Sequence, residues 1–426
     1  MMLTEDVGKS NGLLTVLTAF LMTFSIYADF GIRRSYGYLA ILAVAVFLIV
    51  LNRYIAPFSR FKICYWLFVL PCVFFSILPS SYRSDNTIAI SIYMLVAGFF
   101  VICAQVSRKE GRRVLLIIDI ASVVLSLYII AVRAVPSLYW NGVARFVSAY
   151  SREAARDLAA QGYGIPIGDS ITFADYVIVM AILSRLSRVF FSKIKPGIGF
   201  YVLSAVNIVA MFFENRRSEI ICLAAVVFFL FLLSLDPRRM QEVLKKLSIL
   251  AVVGVLLVLA VYILYKNGGL GRYEGIIRKY IMKESSGQDV SGGRLDLWST
   301  AWSLFLAKPL LGIGWERFMG HNTYHHDVHN TYLQWLCETG IVGFVLIFVP
   351  MLVLLGMSYR RAKKICKDRA ADPVFAAMAC VGFGTQLFFF VINIIDPAFY
   401  HLNYFCFFGI ALILSECSYK LYLESL

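Results

Sequence analysis

The chain has 426 residues, of which 60% are hydrophobic and only 15% are charged, and its formal net charge is +14. A soluble protein would carry about a quarter charged residues, so the mean hydropathy of +0.76 excludes an ordinary soluble enzyme. In a membrane protein a basic excess marks cytoplasmic loops and contacts with anionic lipid headgroups, so it predicts no nucleic-acid partner. The nine cysteines contain no CxxC pair, which argues against a disulfide framework or a structural zinc site.

Apolar segments recur along the whole chain, each close to the ~20 residues with which a helix spans a bilayer. The first is not expected to be a cleavable signal peptide, because no small-residue cleavage site follows a short apolar core. We therefore predict an all-α integral membrane protein, a single polytopic domain over residues 1–426 with about twelve transmembrane helices. The predicted spans are 13–29, 37–51, 63–79, 88–105, 114–132, 171–188, 198–213, 218–235, 247–265, 330–357, 373–395 and 402–419.

Basic residues concentrate in alternate connections between these spans, and this alternation sets the predicted orientation. The basic connections are 52–62, 106–113, 185–195, 236–246 and 358–369. Because Lys-rich and Arg-rich loops stay in the cytoplasm, both termini are predicted to be cytoplasmic. The long connections 133–170 and 266–329 then form two extracytoplasmic loops.

The first long loop contains VARFVSAYSREAARDLAA, residues 143–160, which has the spacing of an amphipathic helix. Its basic stripe contains Arg145, Arg152 and Arg156. Two interpretations stay open. The helix lies in the headgroup plane with its arginines on lipid phosphate, or these arginines guide an anionic, lipid-linked substrate.

A very tight outer connection, FFENRRSEII, separates the seventh and eighth predicted spans. Its length places Arg216 and Arg217 at the outer membrane boundary, against the bias of basic residues towards the cytoplasm. Ionisable groups at this depth are functional candidates. The alternative is an ion pair with Glu214 whose side chains extend to the headgroups.

The second long loop contains RLDLWSTAWSLFLAKP, which predicts a helix that begins at Arg294 and ends at Lys308–Pro309. A cation is unfavourable beside the positive end of a helix dipole. The position of Arg294 therefore favours an anionic partner at this helix start.

Four histidines lie within GHNTYHHDVHN, directly before the tenth predicted span. The i, i+4 spacing of His325 and His329 leaves metal binding as an alternative, although no glutamate completes a metalloprotease motif. We favour a general base at His329, since its ordinary pKa lies near neutral pH and it lies where the chain enters the membrane. Glu338 is predicted to be buried and to orient this helix, while Gly340 and Gly343 allow close packing on a neighbouring span.

Three segments follow one another along the chain: NRRS, then GGRLDLWSTAWSLFLAKPLLGIGWERF, then DVHNTYLQWLCETGIVG. Together they resemble the O-antigen ligase and Wzy-type polysaccharide polymerase family, with the motif region over residues 214–343. The resemblance implies a GT-C-like, metal-independent glycosyltransferase that needs no cofactor and lies in the bacterial cytoplasmic (inner) membrane. It also implies a polyprenyl-pyrophosphate-linked glycan donor and a glycan or lipid-glycan acceptor, joined at the extracytoplasmic face.

The resemblance carries over to individual residues of the motifs. It implies that His329 is the catalytic base, that Arg217, Arg294 and Arg216 bind pyrophosphate, and that Asn330 and Glu338 support the site. Arginine suits this role because it meets phosphate oxygens bidentately and stays charged.

Three functions follow in order of preference. The first is polymerisation of oligosaccharide repeat units into surface polysaccharide, such as capsule or lipopolysaccharide. The second is transfer of the glycan to lipid A core or another acceptor. A transporter or flippase of the lipid-linked glycan is the alternative from a different class, and it predicts charged residues within the spans, often in broken helices.

Overall fold

The computed structural model describes residues 10–27, 34–52, 59–78, 85–146, 149–160, 172–191, 197–214, 217–235, 241, 243–244, 293–368, 370–400 and 402–426. Within these ranges all regular structure is helical, which confirms the all-α prediction. The predicted span 247–265 lies outside the described residues, and every other predicted span overlaps a helix.

The helices are α1 (Leu13–Tyr27), α2 (Arg34–Asn52), α3 (Arg60–Ile77), α4 (Asp85–Cys103), α5 (Arg108–Ala134), α6 (Ser137–Asn141), α7 (Ala149–Ala160), α8 (Thr172–Phe191), α9 (Ile198–Glu214), α10 (Arg217–Ser234), α11 (Arg294–Ala307), α12 (Thr331–Lys367), α13 (Pro373–Ile392) and α14 (Leu402–Glu424). In the described part, α3, α5, α12, α13 and α14 are long and apolar enough to cross a membrane. Shorter apolar segments lie in α1, α2, α4, α9 and α10. These helices indicate an integral membrane protein.

The centre of the bundle is formed by α13 and α14. In each, 83% of the most apolar window is buried, compared with 28% in α12. α13 packs against α8, α10, α12 and α14, and α14 also packs against α1 and α4. α12 packs against α3 on one side and exposes an apolar side, so it lies at the edge of the bundle, where lipid would cover it.

One end of the bundle is strongly basic and is closed by ion pairs. Arg108 Nε lies 2.5 Å from Asp372 Oδ2, and both Arg361 and Lys420 pair with Glu416. This end contains the C-terminal end of α12. The N-terminal end of α12 lies about 50 Å away, given a rise of about 1.5 Å per helical residue.

A buried polar network joins α5, α8 and α9 away from both ends. Arg185 Nε donates to Asp119 Oδ1 at 2.7 Å, and its Nη1 donates to Asn207 Oδ1 at 2.5 Å. The sequence pattern assigned Arg185 to a basic connection, but α8 continues to Phe191 and buries it. Desolvation makes an unpaired arginine costly at such a position, so the Asp119 carboxylate and the Asn207 amide compensate for its burial.

The prediction of one helix over 143–160 was wrong in its first part. Val143–Arg145 is a separate 3-10 turn after Gly142, and the α-helix begins at Ala149. Val143 and Ala144 pack with Val132 and Tyr139 in a small apolar cluster, which fixes the turn against the end of α5.

Candidate functional site

The segment before α12 is organised around α11, whose predicted start and end are confirmed. Gly293 precedes Arg294 with a φ of 86°, a left-handed conformation that suits glycine. At the other end the Lys308 N–H donates to the carbonyls of Leu304 and Phe305, at 3.1 Å each. Pro309 follows, which cannot continue the helix.

One face of α11 packs on the loop that leads to α12. Leu297 and Ala301 form a buried cluster with Ile313, Phe318 and Val328. The indole of Trp298, on the same face, donates from Nε1 to the Val328 carbonyl at 3.0 Å. This bond fixes the residue directly before His329 to the first turns of α11.

α12 is interrupted at Gly340, where φ is 65° and ψ is −173°. The interruption removes the helical bonds between residues 337–338 and 341–342. The loop after α11 replaces them: Ile313 N and Gly314 N donate to the Cys337 and Glu338 carbonyls, both at 2.9 Å. In return, Ile341 N donates to Pro309 O at 2.8 Å. Near a bilayer such pairing is required, because unsatisfied backbone groups are costly there.

Two glycines make this close approach possible. A Cβ added to Gly312 would lie 2.3 Å from the Glu338 carbonyl carbon, and one added to Gly340 would lie 2.2 Å from the Leu310 oxygen. Gly340 therefore packs on the loop after α11 and not on a neighbouring span, which corrects the sequence-based expectation. Gly343 does face a neighbouring span, since its Cβ would lie 2.8 Å from the Phe75 ring of α3.

The Glu338 carboxyl group is buried and joins three segments of the chain. It accepts backbone N–H bonds from Glu316 at 2.9 Å and Phe318 at 3.2 Å. It also accepts from Tyr400 Oη at 2.8 Å and Gln334 Nε2 at 3.3 Å. One carboxyl group thus ties α12 to the loop after α11 and to the connection between α13 and α14.

The start of α12 is capped and clamped. The Asn330 side chain accepts from Leu333 N at 3.0 Å, as an N-cap residue does. Thr331 N donates to the Asn393 carbonyl at 2.9 Å, and its hydroxyl contacts the Asn393 side chain. These bonds hold the residues beside His329 against the end of α13.

His329 has a left-handed backbone conformation, with a φ of 55°, which is uncommon for residues other than glycine. Such conformations cluster at functional sites, where the surrounding structure compensates for the strain. Burial, and secondly the positive charge of Arg294, lower the pKa of His329 below 6.5, while the Asp396 and Asp327 carboxylates oppose this shift. The lowered pKa makes the neutral, proton-accepting imidazole the main form at pH 7.

The structure brings Arg294, His329, Asn330 and Glu338 together around the start of α12, whereas it does not place the other predicted arginines there. Arg217 is the first residue of α10, and its side chain lies outside the described residues, as does all of Arg216. Arg145, Arg152 and Arg156 are exposed around a separate apolar cluster, and the Arg156 guanidinium lies 5.8 Å from the Trp140 ring centroid. These three arginines are not part of the packed segment around His329.

Sequence reasoning missed Asp396 and Tyr400, both in the connection between α13 and α14. Asp396 is half-buried and close enough to act electrostatically on His329. Tyr400 is buried, and burial followed by the Glu338 carboxyl raises the pKa of its hydroxyl well above 10, so it stays a hydrogen-bond donor. The signal that could have found Asp396 is the one used for Arg217, an ionisable residue in a short connection between two predicted spans.

The three other histidines of the cluster before α12 are more exposed than His329. His321, His325 and His326 are all exposed, and the His326 ring centroid lies 6.4 Å from that of His329. Within the described ranges, no group of three or more His, Cys, Asp or Glu side chains is arranged to hold a metal ion.

These features define a helical membrane protein. It contains a histidine, His329, on which the charge of Arg294 acts, and this histidine lies at the end of α12 opposite to the basic end of the bundle. Residues 201–348 match the family model described as O-antigen ligase, which confirms the predicted resemblance. The matched segment runs from α9 into α12 and includes Arg217, Arg294 and His329. It supports a ligase-type or polymerase-type membrane function that uses lipid-linked glycans. No curated protein matches the chain.

Proposed function

We propose that the protein is a glycosyltransferase that polymerises polyprenyl-pyrophosphate-linked oligosaccharide repeat units into surface polysaccharide on the outer face of the cytoplasmic membrane. The observation that supports this most is the arrangement of His329, with its lowered pKa, beside the Arg294 guanidinium. A neutral imidazole and a fixed cation are the two groups that this transfer requires.

In the proposed reaction His329 accepts the proton of an acceptor hydroxyl as that oxygen bonds to the anomeric carbon of the donor. The bond between the anomeric carbon and the pyrophosphate oxygen breaks, and its electron pair stays on that oxygen. Arg294, with Arg217 and Arg216, stabilises the negative charge that develops there, an effect of about 3 kcal/mol for each preorganised donor. Polyprenyl pyrophosphate leaves, and the proton stays on His329 until solvent removes it.

Asn330, Glu338 and Asp396 have supporting roles in this proposal. Asn330 caps α12, and Glu338 joins α12 to the loop after α11, so together they fix the backbone on both sides of the site. Asp396 opposes the effect of Arg294 on the pKa of His329. The imidazole thus stays basic enough to accept a proton while remaining neutral at pH 7. The more distant Arg145, Arg152 and Arg156 would guide the anionic donor along the headgroups.

The orientation of the site is part of the proposal. Its support is the distance along α12, which separates the site from the basic end that contains Arg361 and Lys420. Because basic ends stay in the cytoplasm, the site lies outside and both termini lie inside. The GT-C-like twelve-span plan belongs to the same proposal.

Transfer of the finished glycan to lipid A core or another acceptor is the second candidate, favoured by the description of the matching family model. The test is a reaction of purified protein in proteoliposomes with a polyprenyl-pyrophosphate-linked repeat unit alone. A ladder of longer lipid-linked chains supports the polymerase. If glycan is transferred only after a lipid A core is added, the protein is a ligase.

The transporter alternative needs charged groups inside the bundle, and the Arg185–Asp119 network is such a group. Each charged member is hydrogen-bonded within the network, Arg185 to both Asp119 and Asn207, which indicates a structural role. In the same proteoliposomes, a transporter would move the donor between leaflets without changing its length. Such movement without bond formation would reject the glycosyltransferase proposal.

A further inference from the structure

The outer helix α11 has three distinct faces around its axis. The first, with Leu297, Ala301 and Trp298, packs on the protein. The second is polar and exposed, with Asp296 and Ser303. Between them lies a third, which we call the apolar stripe. Its large side chains are Leu295, Trp302 and Leu306, which share one side of the helix by their i, i+7 and i+11 spacing, and the small Ser299 at i+4 lies between them.

The apolar stripe is exposed and continues beyond the end of α11. Its side chains, together with Leu310 and Leu311, are between 49% and 66% exposed. Five large exposed apolar side chains on one side of α11 and directly after its end are unusual on a surface that faces water, where apolar patches mark contact with another phase or partner. The neighbouring polar face shows that the water-facing side of α11 points elsewhere.

Backbone hydrogen bonds fix the level of this row relative to the membrane. Ile341 N donates to Pro309 O at 2.8 Å, and Val342 N donates to Leu310 O at 3.3 Å. Ile341 and Val342 begin the exposed apolar side of α12, which continues through Val345, Leu346 and Val349. Leu310 and Leu311 therefore lie where the lipid-facing side of α12 begins, and they connect that surface with the stripe on α11.

We propose that α11 is an in-plane membrane helix whose apolar stripe inserts into the outer leaflet of the bilayer. A helix that is protein-bound on one side, apolar on the next and polar on the third fits a boundary at which protein, lipid and water meet. Trp302 suits the interface by its residue type. Lys308 at the C-terminal end of α11 can reach lipid phosphate with its ammonium group while its aliphatic stem stays in the apolar region.

Insertion has a consequence for the site, because Arg294 is the first residue of α11. The depth to which the stripe inserts sets the height of the Arg294 guanidinium relative to the lipid headgroups. It also sets the height of His329, because the Trp298–Val328 bond ties the residue before His329 to α11. The site is thereby held at the level at which the pyrophosphate of a lipid-anchored molecule lies.

The test uses the full-length protein in phosphatidylethanolamine and phosphatidylglycerol vesicles, with a diazirine amino acid at one position of α11. Position 306 reports on the stripe, and the exposed position 307, about 100° further around the helix on the polar side, is the matched control. After illumination, mass spectrometry should detect several-fold more phospholipid adduct at 306 than at 307, because only the probe at 306 is surrounded by lipid.

Each other outcome rejects the inference. Equal adducts at both positions mean that α11 lies wholly within lipid or wholly outside it. Adducts from position 306 to the protein itself mean that another part of the chain covers the stripe. Since the measurement needs no substrate or turnover, its result is independent of the proposed glycosyl transfer.

Discussion

Gly312 and Gly340 lie where the loop after α11 crosses the interruption of α12, each packed against the backbone of the other segment. Neither position has room for a side chain, because the nearest backbone atoms would be 2.2–2.3 Å from an added Cβ. Gly312, the first glycine of GIG, and Gly340, the glycine of ETG, are therefore required for the same physical reason. They allow one segment to complete the broken hydrogen-bond ladder of the other.

We predict that Gly340→Ala destabilises the protein by about 2–4 kcal/mol, because alanine is strained at a φ of 65° and its Cβ would meet the Leu310 backbone. Gly356→Ala is the matched control in the same helix, since its Cβ would meet nothing within 4 Å. That control should be neutral or stabilise by up to about 1 kcal/mol. Thermal unfolding in detergent, followed by size-exclusion chromatography, measures both. Equal stability of the two variants would contradict the close approach.

The second prediction concerns Glu338 and its partners. In Glu338→Gln an amide N–H₂ replaces one acceptor oxygen and faces a backbone N–H donor in either orientation, that of Glu316 or that of Phe318. We expect a loss of about 2–3 kcal/mol, whereas Tyr400→Phe removes one bond and should cost about 1 kcal/mol. Limited proteolysis within residues 309–330 should accelerate more in the first variant. The reverse order would show that Tyr400, not Glu338, holds the loop.

The helices were predictable from the sequence because the local signals were strong. Pro309 ends α11, Asn330 caps α12, and apolar runs separated by basic connections mark most spans. The interruption at Gly340 could not be predicted, because single polar residues and glycines are tolerated in membrane helices and the apolar run resumes directly after Gly340. Only the position of the loop after α11 shows why the helix breaks there.

The site could be predicted only in part, for a related reason. His329 and Arg294 stand in short motifs, so local sequence identifies them. Asp396 and Tyr400 lie in the connection between α13 and α14, far along the chain, and reach the site only through packing of α12 on α13. Contacts between such distant segments leave no local pattern in a single sequence.

The third prediction concerns the base. His329→Ala should lower glycan transfer by about 10²–10⁴-fold, the usual contribution of a general base, without unfolding the protein. His325→Ala and His326→Ala are the controls, and both should keep near-normal activity because these side chains are exposed. The assay is transfer by purified protein in EDTA. Loss of wild-type activity in EDTA, or equal damage from all three variants, would favour the metal alternative.

The fourth prediction concerns orientation. A cysteine at Ser303, exposed on α11, should react with an impermeant maleimide from outside the cytoplasmic membrane. A cysteine at Ser425, exposed near the C-terminus, should react only after that membrane is opened. The nine native cysteines give a low background, since eight are buried and Cys64 is partly buried. The opposite labelling pattern would reverse the proposed topology.

The fifth prediction concerns the pH dependence of transfer. Because the pKa of His329 lies below its usual value, the neutral base is lost only when the pH falls through that lowered pKa. The acid limb of kcat/KM in the wild type should therefore lie below pH 6.5. In Arg294→Gln the neighbouring positive charge is gone, so the pKa of His329 should rise and the acid limb should move to higher pH.

Two further variants separate charge from geometry in this pH profile. Arg294→Lys keeps the charge but loses the bidentate fork, so its kcat/KM should fall by about 10²-fold while its acid limb stays near the wild-type position. Arg317→Gln removes an exposed cation that is not among the main charges acting on His329, and its profile should match the wild type closely. If Arg294→Gln leaves the acid limb in place, then Arg294 does not set the pKa of the catalytic group, and a base other than His329 controls the reaction.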